Sequence, residues 1–323
     1  MKLLFKYHIY LLVVFTLIIT AHSCKVESSN KVGLLIHEME GRWYKDVEQI
    51  KENARKLGID LVIKEAQGNE NLQISQAKEL VEEKIDAVIV VAVNQNTAAG
   101  IVRLFNNENI PVIAYDRLIS NSNLEYYISF EYTQIGKMQA EYALSKKPRG
   151  NYVLLWGDSS DNNARLMRKG HEDVLSDPVN SGKVNIIHKC FIDGWSPENA
   201  KHKMKQILSF SGKTIDVVIA SNDNIAQAAL EAFDELDMEY PQIITGQDCT
   251  EKARTSISQN RQTMTIYKPT EQMAKKAVSL AYNLLENDHE FETDGYVNNK
   301  RMDVPTLFLT PEVIDKSNLN KIN

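Results

Sequence analysis

Cysteine is scarce in this chain: three residues in 323, at positions 24, 190 and 249. That is too few for a disulfide framework. An exported chain could pair Cys190 with Cys249, but a bridge needs a Cα separation that spacing along the chain does not supply. Two free, mostly buried thiols are the expectation. Runs of one charge sign are also missing. No five consecutive residues are basic, and 37 Lys+Arg against 43 Asp+Glu leave a formal net charge of −6. A nucleic-acid surface is therefore not expected. The seven histidines show no metal-ligand spacing, and neither His-Glu-x-x-His nor Gly-x-Ser-x-Gly occurs; Gly157-Asp-Ser-Ser160 lacks the second glycine. No metal, cofactor or catalytic residue is expected. Long apolar runs are absent too. The longest, residues 9–19, is too short to cross a bilayer as a helix, which takes about 20 residues.

That short run follows Lys2 and Lys6 and precedes Ala21-His-Ser-Cys24 and the polar stretch 25–30. The pattern suits a secretory signal and resembles a bacterial lipoprotein signal. The resemblance implies residues 1–23 as signal peptide, cleavage before Cys24, lipid on its sulfur, and 24–30 as a linker tying the protein to a membrane. Cleavage by an ordinary signal peptidase is the competing reading.

The rest of the chain contains one pattern twice. Residues 85–91 open an apolar strand, a helix follows, and residues 110–115 make a second strand that ends at Asp116-Arg117. Residues 215–221 open another, and residues 241–246 end at Gln247-Asp248. Repetition of this kind points to two similar α/β lobes. Hydrophobic periodicity predicts strands at 31–38, 60–66, 87–93, 112–115 and 125–130, with helices at 43–57, 72–83 and 97–107 between them. The second set has strands at 152–156, 184–190, 216–220 and 242–245, and helices at 134–145, 164–175, 198–210, 225–236 and 251–259. A strand at 264–267 would return the chain, a helix at 270–286 would rejoin the first lobe, and a strand at 304–309 would finish in the second. The expected fold is α/β: two doubly wound parallel sheets joined by a three-strand hinge. The first lobe would comprise 31–130 plus 267–300, the second 131–266 plus 301–314, with 315–323 a tail.

In open parallel sheets ligands bind beyond the carboxyl ends of the strands. The polar residues at those ends are Arg42 and Trp43, Asp116 and Arg117, Asp161 and Asn163, Trp195, Asn222, Asp248 and Lys268. Such fixed donors and acceptors suit a ligand with many hydroxyls, and an indole face suits the C–H side of a sugar ring. Each has a plainer reading. Asp161, Asn222 and Asp248 precede helices and could be N-caps, Lys268 could sit in a solvated turn, and Trp156 reads as core.

The segments Gly41-Arg-Trp-Tyr-Lys-Asp46, Ala114-Tyr-Asp-Arg117, Tyr126-Tyr-Ile-Ser-Phe130, Asp161-Asn-Asn-Ala164, Asp193-Gly-Trp-Ser-Pro-Glu-Asn-Ala200, Ala220-Ser-Asn-Asp223, Gly246-Gln-Asp248 and Met264-Thr-Ile-Tyr-Lys-Pro269 go further. Across residues 31–310 the chain resembles the periplasmic sugar-binding proteins of ABC transporters, in their D-xylose-binding branch and type I fold. The resemblance implies that Arg42, Asp116, Arg117, Asn163, Asn222, Asp248 and Lys268 hydrogen-bond a monosaccharide, most closely a xylose-like pentose. Trp195 would stack on it, and Trp43 would form a second wall. It also implies a partner in the membrane, an ABC permease or alternatively a sensor histidine kinase. One departure stands out: the first strand ends Ile36-His-Glu-Met39, where the family tends to have paired acids. A glycosidase pair formed by Asp116 and Asp248 and a sugar-responsive repressor are the rivals. The first lacks a catalytic motif, and an export signal replaces the second's helix-turn-helix.

Overall fold

Strands made only of β-branched and small apolar residues cannot face water, and each must be covered on both sides. The computed structural model describes residues 30–286 and 292–322. The expected signal peptide, Cys24 and the linker up to residue 29 lie outside these. The first run of elements is β1 (Lys31–Ile36), α1 (Trp43–Lys56), β2 (Asp60–Glu65), α2 (Glu70–Glu82), β3 (Ala87–Val90), α3 (Ala98–Asn107), β4 (Val112–Tyr115) and β5 (Tyr126–Phe130). Every residue of β3 and β4 is buried. Leu34 and Ile89 turn toward α1 on one face, while Leu35 and Val90 turn toward α2 and α3 on the other. Burying one such side chain contributes about 1.5–3 kcal/mol.

The second run is α4 (Tyr132–Lys146), β6 (Gly150–Trp156), α5 (Asn162–Asn180), β7 (Val184–Phe191), α6 (Pro197–Phe210), β8 (Val217–Ala220), α7 (Asp223–Glu235), β9 (Ile243–Ile244), α8 (Glu251–Ser258) and β10 (Met264–Tyr267). It too has a core on each face of its sheet. Val153 and Val218 pack toward α6 and α7, and Tyr152 and Val217 toward α4 and α5. Helices α4 and α5 touch through two glycines. A Cβ on Gly136 would lie 2.2 Å from the Met167 carbonyl oxygen, and one on Gly170 would lie 2.2 Å from that of Thr133. The chain closes with α9 (Thr270–Leu285), β11 (Gly295–Asn298), β12 (Asp303–Leu309) and β13 (Glu312–Asp315).

Strand order is β11-β12-β5-β4-β3-β1-β2 in one sheet and β7-β6-β8-β9 in the other. The cores β2-β1-β3-β4 and β7-β6-β8-β9 are the same doubly wound order, parallel throughout. Each reverses winding at its central strand, the place where such sheets open a crevice. The duplication extends one strand further, because β10 lies along β9 through Ile266 N–H to Gly246 O at 3.1 Å, as β5 lies along β4. β10 and β13 form a separate antiparallel pair.

One expectation needs correcting. Residues 304–309 do not finish in the second lobe: Thr306–Leu309 runs parallel to Tyr127–Phe130 in the first sheet. The third passage between lobes is therefore at residues 310–311, between β12 and β13, and not near 300. The apolar run at 304–309 has the composition for either sheet edge. Antiparallel β11, which periodicity did not reveal, covers its outer side. The tail likewise begins after Asp315, because Glu312–Asp315 is a strand.

Candidate functional site

Strand β4 stops at Tyr115, and Asp116 turns the chain through a left-handed step with φ 65°. Such a conformation costs a non-glycine residue of order 1–3 kcal/mol and persists only where neighbours over-determine it. They do here. The Asp116 N–H donates to Ile128 O at 2.8 Å, and its carbonyl accepts from Ser129 Oγ at 2.8 Å, Asn163 Nδ2 at 3.1 Å and Tyr127 Oη at 3.2 Å. The carboxylate is thereby aimed across the ends of the strands. Tyr132 Oη donates to Oδ1 at 2.6 Å, and Arg42 Nη2 lies 2.7 Å from Oδ2. Burial alone would raise the Asp116 pKa. Arg42, Lys268, the Tyr132 hydrogen bond and Arg117 outweigh it and hold the group below the usual carboxylate range.

Arg42 sits at the entry to α1 and joins three acids. Nη1 donates to Asp46 Oδ2 at 3.0 Å, one helical turn on, and Nε lies 3.6 Å from Asp248 Oδ1 in the other lobe. Its guanidinium rests 3.9 Å above the Trp43 ring, which fixes both side chains. Asp46 is fully buried, and Tyr115 Oη donates to it at 3.2 Å.

The second lobe supplies Asp248, also left-handed at φ 99°. Lys268 Nζ lies 2.9 Å from Asp248 Oδ1 and donates to Tyr132 Oη at 3.2 Å. At 3 % exposure, Lys268 is not in a solvated turn. Asp161 and Asn222 do cap helices, yet each caps with one side-chain oxygen alone and also lines the cleft. Asp161 Oδ1 accepts from Asn163 N–H at 2.9 Å, while Oδ2 accepts from Trp195 Nε1 at 3.2 Å and faces Arg117 Nε at 3.2 Å. Asn222 Oδ1 accepts from Ile225 N–H at 2.9 Å, and the residue also lines the cleft. Capping and facing the cleft are not alternatives for these two residues. Asp248 caps nothing, since Thr250 is the N-cap of α8. Trp195 lies flat on Gly157, where a Cβ would come within 2.2 Å of the indole. Trp156 is core, donating from Nε1 to His171 Nδ1 at 3.1 Å.

Arg42, Trp43, Asp116, Arg117, Asp161, Asn163, Trp195, Asn222, Asp248 and Lys268 all line one cavity between the lobes, of about 80 Å³. One water needs about 10–15 Å³ of such space, so a single small solute fills it. Sequence reasoning missed Tyr132, Asn224, Gln247 and the rim residues Glu38, Glu40, Gly41 and Gly194. Tyr132 was legible in principle: it stands just beyond the carboxyl end of β5, where such sheets bind ligands. Three cations (Arg42, Arg117 and Lys268) stand against three carboxylates (Asp116, Asp161 and Asp248) at the distances given. The centre of the cavity is thus internally paired and dense in oriented charge, while Glu38 and Glu40 add negative charge at its rim. Asn163 Oδ1 and Gln247 Oε1 are buried on it and accept no hydrogen bond. Buried acceptors of this kind normally have a partner. A neutral molecule rich in hydroxyls meets these needs, whereas a net ion would unbalance the pairs.

Among the described residues, no group of three or more His, Cys, Asp or Glu is placed to hold a metal ion. Cys190 and Cys249 are free thiols, and burial pushes that of Cys249 up to about 12.

The periplasmic binding protein domain family matches residues 32–289. The chain is 35% identical over 302 residues to the D-xylose-binding periplasmic protein of Escherichia coli (strain K12), covering 93% of this chain and 90% of that one. It is 34% identical over 305 residues to the D-xylose-binding periplasmic protein of Haemophilus influenzae, covering 94% and 92%. Among solved structures it is similar to an ABC transporter solute binding protein from Clostridium phytofermentans with bound β-D-glucose. There the TM-score is 0.84 and the identity 26%, over 90% of this chain and 96% of that one. With its two doubly wound lobes and the cavity at their strand ends, the chain belongs to the periplasmic binding protein family, in the type I fold.

Proposed function

We propose that the protein is an exported solute-binding protein that takes one monosaccharide, D-xylose before others, into the interlobe cavity and passes it to an ABC permease. The observation that carries this reading is the cavity's charge pattern: carboxylates and cations paired within it, two idle amide acceptors, and the Trp195 indole as a wall. Hydroxyls, each both donor and acceptor, can bridge such pairs without bringing net charge. The relatives named D-xylose-binding point to the same sugar. The ligand reaches the cavity by opening of the three passages between lobes and is enclosed when they close. The protein holds its ligand without turning it over. Its anchor is lipid on Cys24, a reading that replacement of Cys24 by Ser and release into the medium would check.

Calorimetric titration of xylose, ribose, arabinose and glucose into the mature protein tests the proposal. Xylose should bind most tightly, because a closed cavity this small has little room for the hydroxymethyl group of a hexose. A single added or missing methylene usually shifts binding by about 1–3 kcal/mol, and steric exclusion discriminates harder. Glucose binding as tightly as xylose would overturn the choice of pentose. Failure of every monosaccharide would overturn the reading itself.

A further inference from the structure

The turn that carries Asp248 is strained at two successive residues. Asp248 and Cys249 both have positive φ, 99° and 53°. Two such steps in a row, neither at a glycine, persist only where the surroundings impose them. The Asp248 N–H is tied to Ile266 O at 2.8 Å, but the residues that follow need a hold of their own.

Asp223 supplies it. This is the first residue of α7, fully buried and outside the cavity lining. Its N–H donates to Gln247 O at 2.9 Å, and its Oδ2 accepts from Thr250 N–H at 2.8 Å. These two bonds bracket Asp248 and Cys249 from either side. A relay reaches the middle of the turn: Cys249 N–H donates to Thr265 Oγ1 at 3.2 Å, and Thr265 Oγ1 donates to Asp223 Oδ1 at 2.8 Å. Gln262 Nε2 also donates to Oδ1, at 2.9 Å. Gly246 leaves room for this approach, since a Cβ there would lie 2.1 Å from Asp223 Oδ1. Every partner of the side chain is a donor, which fits an ionised carboxylate. Burial, and after it the charge of Asp248, raise the Asp223 pKa to about 7, so the carboxylate predominates above that pH. An asparagine in its place would keep the shape. Turned either way, it would set its own N–H against the Thr250 N–H or against the Thr265 and Gln262 donors.

We infer that Asp223 is a positioning residue for sugar binding: without touching the ligand, it fixes the left-handed turn that aims Asp248 into the cavity. There Asp248 Oδ1 lies 2.9 Å from Lys268 Nζ and 3.6 Å from Arg42 Nε, so the turn also sets how the lobes meet. This rests on the monosaccharide reading above and adds to it a residue behind the cavity wall.

Calorimetric titration of xylose into the mature protein near pH 8 tests the inference. Asp223→Asn should weaken binding about tenfold or more, as loss of hydrogen bonds to a charged group does. Thr265→Val, which breaks the relay, should weaken it at least about threefold, whereas Thr265→Ser, which keeps the hydroxyl, should stay within about twofold of wild type. In an Asp248→Ala background, adding Asp223→Asn should change affinity less than about twofold, because a residue acting through Asp248 has nothing left to position. A lower urea midpoint for Asp223→Asn without that loss of affinity marks a merely structural role and overturns the inference. So does a loss that persists in full in the Asp248→Ala background, or equal binding by the two Thr265 variants. Should Asp223→Asn fail to fold, or Asp248→Ala bind too weakly to titrate, the Thr265 pair decides. Xylose binding by the wild type upholds the monosaccharide reading whatever the variants do. A wild type that binds none of the four sugars named above takes both readings down.

Discussion

Asp116 and Asp248 make the same backbone bond in the two halves of the molecule: the N–H of each donates at 2.8 Å, to Ile128 and to Ile266 respectively. Both carry positive φ, 65° and 99°. A repeated unit that ends on a left-handed aspartate delivers one carboxylate from each lobe to a common point. Arg42 stands there, 2.7 Å from Asp116 Oδ2 and 3.6 Å from Asp248 Oδ1. It is a link across the cleft as well as part of the cavity wall.

Replacing Asp116 by Ala removes an ionised acceptor and leaves Arg42 with Asp46 and Asp248 alone. A hydrogen bond to a charged group is worth roughly 1.5–3 kcal/mol, so sugar affinity should fall more than tenfold. Isothermal titration measures this, and wild-type affinity in Asp116→Ala would remove the residue from the site.

Gly157 controls Trp195 without facing any ligand hydroxyl. A methyl group there would overlap the indole carbons at 2.2 Å, so Gly157→Ala should displace the ring. Its affinity loss should approach that of Trp195→Ala, about tenfold from lost aromatic packing. The displaced indole should also shift in tryptophan fluorescence. Normal binding by both variants would mean that Trp195 is not a wall.

Helices α4 and α5 bring Tyr132 and Asn163 to Asp116 because Gly136 and Gly170 let their backbones meet. Gly170→Ala gains about 1 kcal/mol of helix propensity, but its methyl would sit 2.2 Å from the Thr133 carbonyl oxygen. Forced overpacking typically costs about 1–3 kcal/mol, and a backbone oxygen cannot rotate away as a side chain can. Net destabilisation in urea is expected, together with weaker sugar binding. A more stable variant would show that the helices can separate at little cost.

His171 makes stability depend on pH. Trp156 can only donate, so Nδ1 accepts and Nε2 carries the proton toward Gln139 Oε1, at 3.1 Å and 2.8 Å. Burial lowers the pKa of this neutral ring from 6.5 to about 3. The unfolded chain binds a proton below 6.5 that the folded one refuses. The contribution is therefore complete above 6.5 and is lost as pH falls toward 3. Between pH 6.5 and 5 the loss is about 1.6 kcal/mol. His171→Leu, weaker throughout, should take up about one proton fewer on unfolding near pH 5. Equal uptake by variant and wild type would contradict the neutral tautomer.

Much of this molecule is legible along the chain, because the relevant physics is local. A strand buried on both faces must be continuously apolar, and the residue after it is the first that can be polar. Asp116, Asn222 and Asp248 could therefore be placed at the sheet edge, and all ten candidates do line one cavity. The competing reading of Asp161 and Asn222 as caps was also local and also correct: capping engages one side-chain oxygen, and each residue still lines the cleft. What the tertiary structure alone decided is non-local. The run at 304–309 has the same apolar composition whichever sheet it joins, and only its pairing with Tyr127–Phe130 placed it in the first lobe. Periodicity placed Asp46 on a helix, but burial beneath Arg42 made it a partner. His37 read as a departure from a motif, and only the fold made it a buried imidazole standing edge-on to Trp43. Side-chain pattern specifies which face a residue must hide. Which distant surface hides it depends on contacts between segments a hundred or more residues apart, and those contacts exist only in the folded chain.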